Sequence, residues 1–358
     1  MPNTTLPAFN AEEYDKTRLY LATQVSEMMG RKFEEGDWTK VYCASKGIPP
    51  ARWSNLGIDI THGNLGVEQK MIRHGQPLLK ACGKSIMHPA ETRAIRIPDE
   101  EDPTIAARII LKQYGEIIDE RTKRVKIFND YHHQLLSFDD AVMELNKLGT
   151  SLTSARNMLP VDRNPIGLSG ASPDMRRGWL LWEEGLREFL YFEEPMTKPN
   201  PDDFIAEWRN SGGGRRKKSR NLWVCHRETG KKKYSITTGA GAKIQPYFTV
   251  PLLSDPNLYH FIVQREECGN GQVRVWLTQT TARLLKKTAG NLTPEAIEST
   301  VRRANLKQKS QEECLAAFGT HAVDVPVTTA TYDKLKSVFK GASDEHNFKQ
   351  FVDALSVE

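Results

Sequence analysis

Between Leu56 and Ile72 the chain runs Leu-Gly-Ile-Asp-Ile-Thr-His-Gly-Asn-Leu-Gly-Val-Glu-Gln-Lys-Met-Ile. An apolar run carries Asp59, a short turn signal follows, and a second apolar run carries Glu68 and Lys70 two positions apart. Side chains alternate along a strand, so Glu68 and Lys70 share a face and Gln69 points away from it. A four-residue loop, His62–Leu65, pairs Thr61 with Gly66 and sets Asp59 opposite Glu68. A two-residue loop, His62-Gly63, pairs Asp59 with Gly66 and leaves Glu68 a diagonal neighbour. Both bring the three charged side chains within about 5–8 Å at Cβ. A three-residue loop sends Asp59 to the other face unless a bulge intervenes.

Two carboxylates converging on an apolar sheet are costly unless a cation joins them. Magnesium suits the pair, because it prefers carboxylate oxygens, keeps several waters and accepts phosphate oxygens as further ligands. Bound there it would lower the pKa of a water and stabilise charge at phosphorus. Lys70 would hold or help deprotonate the attacking water, or neutralise the pentavalent intermediate. That is chemistry for phosphodiester hydrolysis. The alternative is a solvated Glu68–Lys70 ion pair with Asp59 capping the turn. Against it, Leu56, Ile58, Ile60, Leu65, Val67, Met71 and Ile72 make both strands apolar on more than one face, as in the middle of a sheet.

Asp59, eight intervening residues and Glu68-Gln69-Lys70 resemble the PD-(D/E)xK nuclease signature. The resemblance implies an α/β core with a mixed central sheet flanked by helices. It also implies metal ligation by Asp59, Glu68 and the backbone carbonyl of Gln69, with Lys70 catalytic and Mg2+ as cofactor. Members of the family often add an acid from a helix before the first core strand. Glu27 is in the better register for that role, with Glu34 and Glu35 as competitors. The sequence departs from the pattern at Ile58, where the eponymous proline would sit. Lacking helicase, Walker and methyltransferase motifs, the chain resembles a type II restriction endonuclease. That implies a sequence-specific cut in double-stranded DNA by a homodimer. A repair or phage nuclease of the same superfamily, an RNA nuclease and a non-catalytic DNA-binding protein are the other readings.

The elements that must position these residues are legible in outline. Residues 10–30 read as a helix capped by Asn10, and Trp38–Cys43 as a short strand. Ser85–Pro98 is extended, and Asp102-Pro103 opens a helix to about Lys123. Further helices are expected over 138–149, 150–158 and 173–194. Prolines at 195–201 and glycines at 212–214 mark a boundary between a catalytic nuclease domain, 1–210, and an α+β DNA-recognition region, 215–358. In the second region Asn221–His226 and Lys233–Thr237 read as one hairpin, Tyr259–Arg265 and Gln272–Thr278 as another. Thr293-Pro294 opens a last helix.

Arg215, Arg216, Lys217, Lys218, Arg220, Arg227, Lys231, Lys232 and Lys233 face a single acid, Glu228, in the same stretch. All but Arg227 are candidate DNA contacts, with His62 in the catalytic turn and Arg93 and Arg96 in the extended run. The odd spacing of Arg93 and Arg96 puts them on opposite faces of a regular strand. The net charge of +5 suits a polyanion partner. Among 358 residues, 39% hydrophobic and 27% charged, no apolar run is long enough for a membrane span. The N-terminus carries no signal-peptide pattern, so a cytoplasmic protein is expected. Five scattered cysteines without a Cys-x-x-Cys pair point to reduced thiols.

Overall fold

A computed structural model describes residues 5–28, 33–49, 57–74, 77–88, 90–92, 94–159, 169–183, 186–210, 220–237, 243–263, 266–269, 271–278 and 322–328. The protein is mixed α/β, with five helices and three sheets among the described residues.

Helix α1 (Ala11–Met28) starts as expected: Asn10 Oδ1 accepts from the Glu13 N–H at 2.9 Å and Glu13 returns a bond to the Asn10 N–H. Helix α2 (Glu35–Lys46) replaces the strand expected over Trp38–Cys43. Its ends are locally encoded, by a Glu34–Asp37 capping box and by Gly47 in the left-handed conformation. Trp38, Val41 and Tyr42 follow at helical spacing and are all fully buried.

Strands β1 (Ile60–His62) and β2 (Leu65–His74) form the site hairpin, and β3 (Ser85–Met87) follows. Helix α3 (Pro103–His132) begins where Asp102 Oδ1 accepts from Thr104 and Ile105 N–H, and runs a full two turns beyond the expected end at Lys123. Its inward stripe is Ile110, Tyr114, Ile118, Arg121, Val125 and Phe128. Helices α4 (Phe138–Lys147) and α5 (Leu152–Met158) match the expectation, each capped by a serine.

The helix expected over 173–194 is instead a strand pair, β4 (Asp174–Glu183) and β5 (Glu188–Pro195). Both strands are buried on both faces: Trp179, Leu180, Leu181 and the run Phe189–Phe192 are fully inaccessible. Continuous burial erases the two-residue period, so such a run cannot be told from a buried helix by pattern. The remaining strands are β6 (Phe204–Asn210), β7 (Arg220–His226), β8 (Lys232–Thr237), β9 (Lys243–Thr249), β10 (Tyr259–Ile262), β11 (Glu266–Gly269), β12 (Gln272–Thr278) and β13 (Ala322–Thr328). The hairpin expected at 221–237 is present as β7–β8. The second expected hairpin is divided: β10 pairs with β5, and β11 pairs with β12. The helix expected after Thr293 lies outside the described residues.

The first sheet has the order β1-β2-β4-β5-β10, with β2 and β4 parallel and the other pairs antiparallel. A parallel pair needs a long crossover, and α3, α4 and α5 supply it. Helix α2 covers one face of this sheet, packing Trp38, Val41 and Tyr42 with Ile60, Val67, Leu180 and Tyr191. Helix α3 and a second sheet, β3-β9-β8-β7-β6, cover the other. Phe248 of β9 stacks on Trp179 of β4 at 4.0 Å between ring centroids, joining the two sheets. The division expected between 210 and 215 falls between β6 and β7, which pair as Asn210 with Arg220. Phe204, Leu222, Val224 and Ile236 of this second sheet share one core with α3, because the helix has apolar side chains on both its sheet-facing sides.

Candidate active site

The turn of the hairpin is Gly63-Asn64, and the register is His62 with Leu65, Thr61 with Gly66 and Ile60 with Val67. Of the registers considered, this one carries Asp59 opposite Glu68. Asp59 Oδ2 accepts from the Gln69 backbone N–H at 2.6 Å, which fixes the acid against the second strand. Gly66, Glu68 and Lys70 face α3. A Cβ on Gly66 would lie 2.7 Å from Val125 Cγ2 and 2.8 Å from Met175 Sδ, so glycine there lets the helix close over the site.

Parallel pairing sets Arg177 of β4 beside Glu68, and antiparallel pairing sets Glu194 of β5 beside Arg177. Three adjacent strands, with Asp59 just before β1, therefore present one row of charges: Asp59, Glu68, Arg177, Glu194. Above the row, Lys70 Nζ donates to Glu68 Oε1 at 2.6 Å and Arg121 Nη2 from α3 reaches the same oxygen at 3.3 Å. Glu91, from the segment after β3, accepts from Arg177 Nε at 3.2 Å and lies 3.7 Å from Arg121 Nη1. Arg177 Nη2 also donates to Tyr114 Oη at 2.6 Å.

Burial pushes the Asp59 carboxyl up to about 6, against Lys70, and the neighbouring carboxyl of Glu35 adds to the rise. Glu68 is likewise raised, first by burial and then by Asp59, with Lys70 and Arg121 opposing. For Lys70, burial acts downward but Glu68, Glu91 and Asp59 outweigh it, so its pKa is raised and it is held as an ammonium. Glu91 is fully buried, yet Arg177, Lys70 and Arg121 overcome that burial and hold it at about 2. Two neighbouring acids raised by burial, Asp59 further by Glu35 and Glu68 further by Asp59, are a donor set that a hard cation would relieve. Among the described residues, three or more His, Cys, Asp or Glu side chains are nowhere gathered closely enough to chelate an ion as they stand.

Of the upstream acids, it is Glu35, the first residue of α2, that meets Asp59. Glu34 is engaged in the helix cap. Glu27 lies in the last turn of α1, its side chain outside the described residues. The side chain of Gln69 goes to the opposite face, as alternation requires, and accepts from Trp38 Nε1 at 3.1 Å.

The expected nucleic-acid contacts are dispersed. His62 ends β1, half-buried, its pKa lowered by burial and by His132. Arg96 is exposed before α3, and Arg220 is exposed at the start of β7 with its guanidinium 4.2 Å from the Trp208 ring centroid. Lys231 is exposed in the β7–β8 turn, and Lys232 Nζ lies 3.4 Å from the centroid of Trp223. Lys233 lies near Glu194 and Arg177, its pKa lowered by burial and by Arg177 against the pull of Glu194. Of the three neighbouring lysines Lys231 alone is exposed. Arg93, Arg215, Arg216, Lys217 and Lys218 lie outside the described residues.

Nothing in the local sequence pattern marks Arg177, Glu91 or Glu194 as part of the site. Arg121 carried a signal, because it is a cation in line with the apolar stripe of α3 formed by Ile110, Tyr114, Ile118, Val125 and Phe128. Comparison of the chain with protein-family models, curated proteins and solved structures gives no match. No helix among the described residues is long and apolar enough to cross a membrane.

Proposed function

We propose that the chain is a magnesium-dependent endodeoxyribonuclease of the restriction-endonuclease-like class, cutting double-stranded DNA at a specific sequence. The observation that carries this reading is the hairpin register, which sets Asp59 against Gln69 and opposite Glu68 with Lys70 on the same buried face. The parallel β2–β4 pair with α3 crossing between them is consistent with the core that the signature implies.

Asp59, Glu68 and the Gln69 carbonyl would hold the ion, with Glu35 as the further acid beside Asp59. Magnesium bound there would supply an acidified water and charge stabilisation at phosphorus. Lys70, held as an ammonium by three carboxylates, is suited to donating a hydrogen bond to the water or to the charged phosphoryl oxygens rather than to taking a proton. Burial of Glu68 at 5% exposure keeps these interactions in a low-dielectric setting, where they count for more. The second sheet and the residues after it would form the recognition region, with the exposed Arg220 at the start of β7 and Lys231 in the β7–β8 turn. A homodimer would place two such sites on a palindrome, in the cytoplasm.

The test is digestion of mapped plasmid DNA by the full chain with magnesium, repeated with EDTA and with Asp59→Ala. Discrete fragments that vanish under both treatments are expected, with DNA binding by the variant retained. Equal cleavage by wild type and Asp59→Ala removes the site. Salt-sensitive binding without any cleavage favours a DNA-binding protein without catalysis.

A further inference from the structure

We infer that Arg121 is a positioning residue that exchanges between Glu68 and Glu91, and that Glu91 is the built-in counter-ion which frees Glu68 to take a cation. The inference rests on the reading of Asp59 and Glu68 as a cation site.

Glu68 Oε1 carries two cationic neighbours, Lys70 Nζ at 2.6 Å and Arg121 Nη2 at 3.3 Å. A carboxylate oxygen so occupied is a poor ligand until one neighbour leaves. Arg121 is the one with a buried donor left unused. Its Nη1 is buried and makes no hydrogen bond, although Glu91 Oε1 lies 3.7 Å away. Glu91 Oε2 is also buried and without a hydrogen-bond partner. Guanidinium–carboxylate pairs close to about 2.7–2.9 Å, so a shift of about 1 Å by the side chain converts this contact into a direct bond.

The two ends of the exchange are rigidly held. Arg121 stands on α3 between the buried Ile118 and Val125, so the side chain must move rather than the helix. Glu91 is fixed by Arg177 Nε at 3.2 Å and by its backbone N–H, which donates to the Ile244 carbonyl at 2.8 Å. A divalent ion arriving at Asp59 and Glu68 repels both cations by Coulomb's law, and Arg121, the more loosely bonded at 3.3 Å against 2.6 Å, is the one displaced. Glu91 receives the displaced charge. Without that acceptor the guanidinium would stay on Glu68 and compete with the ion.

The measurement is calorimetric titration of Mn2+ into the full chain, wild type against Glu91→Gln, Arg121→Gln and the double variant, with near-UV circular dichroism reporting the fold. Glu91→Gln keeps the shape and one acceptor for Arg177, and is expected to weaken Mn2+ binding by about tenfold or more. Arg121→Gln is expected to tighten it. The double variant is expected to bind at least as tightly as wild type, a rescue that a merely structural role for Glu91 would not produce. Should Glu91→Gln fail to fold, Arg121→Gln decides alone. Unchanged or weaker binding by Arg121→Gln, or no rescue in the double variant, overturns the exchange while leaving the cation site intact. Absence of Mn2+ binding by wild type ends the cation-site reading and the exchange with it.

Discussion

The backbone N–H of Gln69 donates to Asp59 while its side chain, on the other face of β2, accepts from Trp38 and donates to Tyr191 Oη at 3.1 Å. One residue thus ties the acid of the edge strand to the buried polar layer beneath α2. That layer continues through the Tyr191 and Tyr42 hydroxyls, which both donate to Glu193 Oε1 at 2.8 Å, and through Arg176, which pairs with Glu193 Oε2 at 3.0 Å. Because α2 is locked there, its first residue, Glu35, is delivered to Asp59. The middle residue of Glu-Gln-Lys therefore orients both strands of the site from behind.

Asp59→Asn is expected to stabilise the protein at neutral and higher pH. Burial, opposed by Lys70 and aided by Glu35, raises Asp59 from 3.8 to about 6. The folded chain then binds more protons than the unfolded chain across that window, so stability falls as pH rises through it, and the penalty is complete above about 6. A shift of this size corresponds to about 2–3 kcal/mol. Thermal unfolding should show the variant melting higher than wild type at pH 8 and alongside it at pH 4. A variant that melts lower at pH 8 would mean that the Gln69 hydrogen bond outweighs the buried charge.

Arg177→Met is expected to be the most damaging single change near the site. Glu91 and Glu194 would lose their guanidinium, and breaking a buried ion pair from one side costs about 3–5 kcal/mol. Burial alone would raise Glu91, but Arg177, then Lys70 and Arg121, hold it at about 2. Its ionised state therefore stabilises the fold above about 4.5, and that contribution is lost as pH falls from there toward 2. Urea melts at pH 7 and pH 3 should show the gap between wild type and variant narrowing in acid. A gap that widens in acid would contradict this assignment.

Gly178→Ala is expected to separate Gln69 from Tyr191. A Cβ at Gly178 would collide with Tyr191 Oη and Gln69 Oε1, and overpacking of this kind costs about 1–3 kcal/mol. Near-UV circular dichroism of the surrounding aromatic residues should change with the loss of stability. Gly36→Ala in α2 is the control: nothing lies within 4 Å of its added methyl, and alanine in a helix gains about 1 kcal/mol over glycine. Equal effects at the two positions would show that the Gln69–Tyr191 contact carries no weight.

What could be read from the chain was what neighbours along it decide. Asn10 and Asp102-Pro103 start helices through bonds made within one turn, and both do so here. The Gly63-Asn64 turn and strand alternation place Glu68 and Lys70 on one face whatever surrounds them. Two segments misled as to element type. Trp38–Cys43 is too short a window to reveal the helical spacing that Trp38, Val41, Tyr42 and Ser45 form together. The runs 179–182 and 189–192 are apolar on both faces because both are buried, which removes the period that separates strand from helix.

The sequence alone determined the composition of the hairpin and the face its charges share, since both follow from local geometry. Tertiary structure decided which partners those charges have. Arg121 lies 53 residues from Glu68 and Glu91 lies 86 from Arg177, and they meet only because β4 adds parallel to β2 and α3 must then cross the sheet. No local preference encodes that registry; burying the apolar faces of distant strands against one another does, and the charges come with them.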